Sequence, residues 1–157
     1  MKRTWKVYAI WIAIAEAVGF LSGWLSREGM QTYGETVTQP TLAPPMWLFP
    51  VVWGILYALM GISAARIWLA PETDLRTRGL NLFVAQLVVN FFWSLIFFNL
   101  QAFGFAFIWL VLLWALVAWM IWTFYQVEPL AAWLQVPYLL WLTFAGYLNF
   151  AVWMLNR

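Results

Sequence analysis

The chain has 157 residues, of which 66% are hydrophobic, 9% charged and fourteen tryptophan, and its mean hydropathy is +0.81, which excludes an ordinary soluble domain. A net charge of +2 is too small to mark a nucleic-acid surface. Histidine and cysteine are both absent, which excludes disulfides, Ser–His and Cys–His nucleophile pairs and zinc sites built on nitrogen or sulfur.

Five apolar runs reach the roughly 20 helical residues needed to cross about 30 Å of hydrocarbon. They lie at Trp5–Leu25, Trp47–Leu69, Leu80–Leu100, Phe103–Tyr125 and Leu130–Leu155. Without the period-two alternation of a barrel, helices are the remaining way to satisfy the backbone in lipid. The expected fold is all-α and integral to the membrane: a five-transmembrane-helix bundle forming one domain over residues 1–157.

The first run follows Lys2, Arg3 and Lys6, as in a signal peptide, but it is longer than a typical apolar signal core and more spans follow. It reads as an uncleaved first helix. Glu16 stands in its middle, where an ionised carboxylate costs roughly 2.5–3.5 kcal/mol on insertion scales. Two readings stand side by side: a hydrogen bond to Gln86, Asn90 or Asn149, or a role with a ligand donor or a proton. Small residues recur at four-residue spacing in Ala15, Gly19 and Gly23, in Gly54 and Ala58, and in Gly61 and Ala65. Such ridges let helices approach closely, within the chain or across a homodimer seam.

The longest connection runs from Ser26 to Pro45. Pro44 and Pro45 lack N–H donors and suit the first turn of the second span. Ala70 to Gly79 reads as a charged link. Pro137 inside the fifth span removes a bond to the Trp133 carbonyl and predicts a kink. With five spans, the N-terminus shares a side with Lys2, Arg3, Lys6, Arg66, Arg76 and Arg78, against Arg27 and Arg157 on the other. The expected localisation is a bacterial cell membrane, crossed several times, and the charge bias puts the N-terminus in the cytoplasm.

Trp93, Trp114, Trp119 and Trp141 lie too deep for the interfacial belt where indoles gather. They are expected to pack on each other, on neighbouring helices or on a flat ligand. In the second span Trp53 and Tyr57 share a face; in the third, Gln86, Asn90, Trp93 and Phe97 form a stripe. Trp141, Phe144 or Ala145, and Leu148 form another in the fifth. Three such stripes with two carboxamides describe an apolar pocket with a few orienting groups. Aromatic stripes are also what plain helix packing leaves, with Gln86 and Asn90 tying helices together.

Particular motifs add to this. Gln39 to Tyr57 reads QPTLAPPMWLFPVVWGILY, with Pro40, Pro44, Pro45, Trp53, Leu56 and Tyr57 in characteristic order. AQLVVNFFWSLIFF supplies Gln86, Asn90, Trp93, Phe97 and Phe98; Tyr125-Gln126 precedes Pro129-Leu130-Ala131-Ala132; VPYLLWLTFAGYLN supplies Pro137, Tyr138, Trp141, Phe144, Leu148 and Asn149. From about Tyr33 onward the chain resembles the tryptophan-rich sensory protein and translocator protein family, once called the peripheral-type benzodiazepine receptor.

The resemblance implies a membrane protein that binds tetrapyrroles such as protoporphyrin IX or haem, and sterol-like or synthetic aromatic ligands. It implies ligand-binding residues at Pro44, Phe49, Trp53, Tyr57, Gln86, Asn90, Trp93, Phe97, Trp141, Phe144, Ala145 and Leu148. It requires no obligatory cofactor and no catalytic residue, although some members are reported to promote light-dependent porphyrin breakdown, a chemistry Trp53 and Trp141 could assist. Haem iron has only Met or Tyr as ligands here. The sequence departs from the family at Leu42, where a tryptophan is expected; Leu42→Trp should then add a stacking wall. A sterol-recognition pattern near the C-terminus is not met, because Phe150 stands in place of a tyrosine. The rival readings are a small-solute transporter, for which neither inverted repeats nor broken helices are evident, and a membrane interaction partner without a ligand.

Overall fold

The computed structural model describes residues 3–157; Lys2, counted above for orientation, lies outside the described residues. The described chain forms α1 (Thr4–Leu25), α2 (Arg27–Thr36), α3 (Leu48–Trp68), α4 (Asp74–Ser94), α5 (Phe103–Val127) and α6 (Pro129–Asn156). One π turn, Leu95–Asn99, prolongs α4. All of these except α2 are long and apolar enough to cross a membrane, and no strand occurs among the described residues. The fold is the expected all-α bundle of five spanning helices.

Where the element boundaries differ from the expected ones, polar chemistry is the reason. The third spanning helix starts at Asp74, not Leu80, because Thr73 caps it: the Arg76 amide donates to Thr73 Oγ1 at 3.1 Å. Most of the charged link is therefore helix, and the Arg76 guanidinium donates back to the Trp68 carbonyl at 2.7 Å. The long connection is likewise not a bare loop. Arg27–Thr36 is helical, and its polar sequence gave no span-like signal. Pro44 and Pro45 do not sit in the first turn of α3; they precede it, and the Leu48 amide donates to the Pro45 carbonyl at 3.0 Å. Glu128 caps α6, accepting from the Leu130 amide at 3.3 Å, with Pro129 at the first helical position. α6 then runs through Pro137 as one helix.

Around the bundle α1 packs on α3, α3 on α6, α6 on α5 and α5 on α4, with α1 leaning on α4. Met60, Phe83, Leu113, Val117, Met120, Phe124 and Leu142 fill the core. Two members of the small-residue ridges, Gly19 and Gly61, serve contacts inside the chain. A Cβ at Gly61 would meet the Ile12 backbone, and one at Gly19 would meet the Tyr57 ring. Gly23 and Gly54 have nothing within 4 Å of such a Cβ, so α1 and α3 part company over that stretch.

The two ends of the bundle differ. At one, Arg66 pairs with Glu128 and also donates to the Tyr8 hydroxyl at 3.5 Å. The hydrogen bond from Arg66, more than its charge alone, holds the Glu128 carboxyl below the usual carboxylate range. At the other end α2 lies across the bundle. Tyr33 is buried against Phe97 and Phe98, at 5.3 and 5.2 Å between ring centroids, and burial pushes its phenol up to about 12. Asn99 donates to the Leu25 carbonyl at 2.9 Å, and the Thr38 amide donates to Asn156 Oδ1 at 3.0 Å.

The expectation for the deep indoles holds only in part. Trp119 points outward and is 53% exposed, toward the lipid side. Trp114 is also partly outward, with its N–H donated to Thr143 Oγ1 at 2.9 Å. Depth along a span does not determine which face of the helix an indole occupies. In Trp114 a neighbouring hydroxyl satisfies the donor that lipid would leave bare.

A candidate ligand cavity beneath α2

Where α1 and α3 separate, a cavity of about 580 Å³ opens beneath α2, within the range of small-molecule sites. α3 supplies Phe49, Trp53, Gly54 and Tyr57; α4 supplies Asn90 and Trp93; α6 supplies Trp141 and Ala145; α1 supplies Glu16 and Gly23. Arg27 and Met30 of α2, and Met46 just before α3, stand at the mouth.

The walls are held by ring packing. Trp53 lies 5.5 Å from Tyr57 and 6.1 Å from Tyr138. Trp141 meets Phe49 edge-on at 5.9 Å, and Trp93 stacks on Phe97 at 4.9 Å. Trp93 donates its N–H to Asn149 Oδ1 at 3.1 Å, which fixes its plane. Beneath these walls runs a chain of hydrogen bonds. The Tyr57 hydroxyl donates to Asn90 Oδ1, Asn90 Nδ2 donates to the Tyr138 hydroxyl at 2.8 Å, and Tyr138 donates to Gln86 Oε1 at 2.7 Å. Each amide orientation is set by its neighbour, so Tyr57 and Asn90 present a fixed polar floor.

One polar atom in the walls is unsatisfied. Trp141 Nε1 is buried without a hydrogen-bond partner among the described residues, in a residue that faces the cavity. A buried donor left unpaired costs roughly 1–3 kcal/mol, and this one lies behind the wall, with essentially no surface open to the cavity.

Of the residues singled out from the sequence, Phe49, Trp53, Tyr57, Asn90, Trp93, Trp141 and Ala145 line this space. Five do not. Gln86 is fully buried below the floor, bonded to Tyr138. Pro44 lies in the turn before α3, Phe144 packs between Trp141 and Tyr147, and Leu148 is buried beside Asn149 on α6. Phe97 is displaced for a geometric reason. The π turn puts about one extra residue into the last turn of α4, so the stripe Asn90–Trp93 continues to Phe98, which lines the cavity. Phe97 turns instead into the cluster with Tyr33 and Phe103.

Leu42 is 65% exposed and does not line the cavity. None of the three expected bonds from Glu16, to Gln86, Asn90 or Asn149, forms; Glu16 lines the cavity instead. The residues missed from sequence, Gly23, Arg27, Met30, Met46 and Gly54 among them, come from α1, α2 and the gap between α1 and α3. The spacing of Gly19, Gly23 and Gly54 was visible, but identical spacing serves close packing at Gly61 and open space at Gly54.

Fold and cavity together define a class: a polytopic helical membrane protein with an internal aromatic pocket capped by a connecting helix. The TspO/MBR family profile matches residues 11–154, nearly the whole chain. The chain belongs to that family. It is 45% identical to the protein CrtK of Rhodobacter capsulatus over 78% of this chain and 77% of that one. It is 37% identical to the tryptophan-rich protein TspO of Chlorobaculum tepidum over 99% of both chains. It is 36% identical to the human translocator protein over 96% of this chain and 91% of that one.

Proposed function

We propose that the cavity beneath α2 binds a tetrapyrrole, protoporphyrin IX or haem, and admits sterol-like or synthetic aromatic molecules by the same apolar walls. The observation that carries this reading is the set of indoles around one space, Trp53, Trp93 and Trp141. A flat macrocycle offers π faces to stack on such rings. Its carboxylates belong at the mouth beside Arg27, since Glu16 would repel them deeper in. Thioethers of Met30 and Met46 are the soft donors in the lining for a haem iron, and stacking and shape do the rest of the holding. The role that follows is tetrapyrrole handling, transport or stress sensing from a bacterial cell membrane, with the N-terminus in the cytoplasm.

Titration of the detergent-solubilised protein with protoporphyrin IX in darkness tests this. Indole fluorescence should fall saturably, and Trp141→Phe should weaken binding severalfold. A wild-type protein whose emission falls only in proportion to added porphyrin, without saturation, would refute the reading. For orientation, a reporter active only in the cytoplasm and fused after Arg157 should stay silent; a strong signal would reverse the assignment.

A further inference from the structure

The geometry points to an organic-cation subsite at Glu16: the cavity takes aromatic-substituted ammonium or phosphonium ions, with the positive centre at the carboxylate. This rests on the cavity being a ligand site, not on its ligand being a tetrapyrrole.

Glu16 stands in the middle of α1 and lines the cavity. Among the described residues no cation is paired with it. Among the described residues the one ion pair is Arg66–Glu128, so Arg66 is already committed at the far end of α3. Arg27 also lines the cavity, but it opens α2 beyond the end of α1, and Glu16 to Leu25 alone covers roughly 14 Å of helix. Its guanidinium is held by the Trp24 carbonyl at 2.7 Å and lies over the Trp24 ring at 3.9 Å. Lys6 is ten residues away in the other direction and rests against Trp5 at 5.9 Å. A carboxylate placed at membrane depth without a partner marks a pathway or a ligand site.

The surroundings of the carboxylate select the sign and shape of its counterion. Glu16 shares its lining with Phe20 and Trp24 on α1 at four-residue spacing, and faces Trp53, Trp93 and Trp141 across the gap. Aromatic faces attract cations, most strongly where water is excluded, and cages of such faces recognise quaternary ammonium groups; a carboxylate among them adds direct charge attraction. The seat of Arg27 over Trp24 shows a cation already held this way at the mouth. Gly23 and Gly54, with open space where a Cβ would stand, leave room for bulky substituents beside the charge.

Tetraphenylphosphonium and tetraphenylborate have the same shape and opposite charge, so their affinity ratio isolates the sign of the site. Equilibrium dialysis of each against detergent-solubilised protein, with protein-free micelles as baseline, gives that ratio. The wild-type protein should favour the phosphonium by about tenfold, Glu16→Asp should keep the preference, and Glu16→Gln should abolish it. A preference that survives Glu16→Gln overturns the inference. Should Glu16→Gln bind neither ion, Glu16→Asp decides: a retained preference supports the subsite, and equal binding of the two ions overturns it. Protoporphyrin titration of the wild-type protein runs alongside. Saturable porphyrin quenching without any phosphonium preference overturns the cation subsite alone, whereas failure of both ligands overturns the cavity reading and the subsite with it.

Discussion

Gly54 and Gly61 lie on the same helix, two turns apart, and the same substitution should act on them with opposite sign. Replacing a glycine in a helix interior by alanine gains about 0.5–1 kcal/mol by restricting the unfolded chain. At Gly54 nothing lies within 4 Å of the new Cβ, so that gain stands alone. At Gly61 the Cβ would lie 2.6 Å from the Ile12 amide nitrogen and nearer still to its Cα. Backbone cannot rotate aside as a side chain can, so α1 must move off α3, and overpacking of this kind costs about 1–3 kcal/mol. Taking the middle of each range, the net effect at Gly61 is a loss of about 1 kcal/mol. For a chain of this size that lowers the midpoint by about 2–4 °C, while Gly54→Ala raises it by a few degrees. Thermal unfolding of the purified protein in detergent, followed by circular dichroism, measures both. Gly54→Phe extends the test to the cavity: a ring placed there competes with ligand, and protoporphyrin affinity should fall about tenfold, a change of about 1.4 kcal/mol. A Gly61→Ala protein as stable as wild type would refute the close approach of α1 to α3, and with it the account of why the cavity opens where it does.

Other expectations follow from single features. If bound porphyrin is broken down under light and oxygen, Trp53→Phe with Trp141→Phe should slow breakdown more than it weakens binding, because phenyl gives up an electron less readily than indole; undiminished breakdown in the double variant would remove both rings from the chemistry. Leu42→Trp should change porphyrin affinity by less than about twofold, since the exposed position 42 adds no wall to the cavity; clear tightening would place the loop over the mouth. Glu128 has its folded-state pKa depressed by Arg66, so its contribution is present above the unfolded value of 4.5 and is lost as pH falls through the folded one. Stability of the wild-type protein should therefore decline on acidification below about 4.5 more than that of Glu128→Gln, as read by unfolding midpoints across pH; parallel curves would show the pair to be inert.

The spanning helices were legible because their signal is local. A run of apolar residues of sufficient length has one stable state in lipid, so each span could be read independently of the others, to within a few residues at most ends. The exceptions were local too: Thr73 extended α4 by a cap that hydropathy does not register, and the polar α2 carried no span-like pattern at all. Half of the cavity was legible for the same reason. Trp53 with Tyr57, and Asn90 with Trp93, share faces by helical spacing whatever the helices pack against.

The tertiary structure decided everything that depends on what stands opposite. Gly54 and Gly61 are the same residue at the same spacing, yet one borders open space and the other an α1 backbone. Phe97 and Phe98 are neighbours with equal claims, and one π turn sent the second to the cavity and the first to Tyr33. Glu16 could be placed at mid-span from sequence, but whether it met an amide or a cavity depended on how α1 leans across α3 and α4. Apolar length fixes which segments enter the membrane because it is a transaction between one helix and lipid. Which faces then meet, and where they fail to meet and leave a site, is settled only by all five helices packing at once.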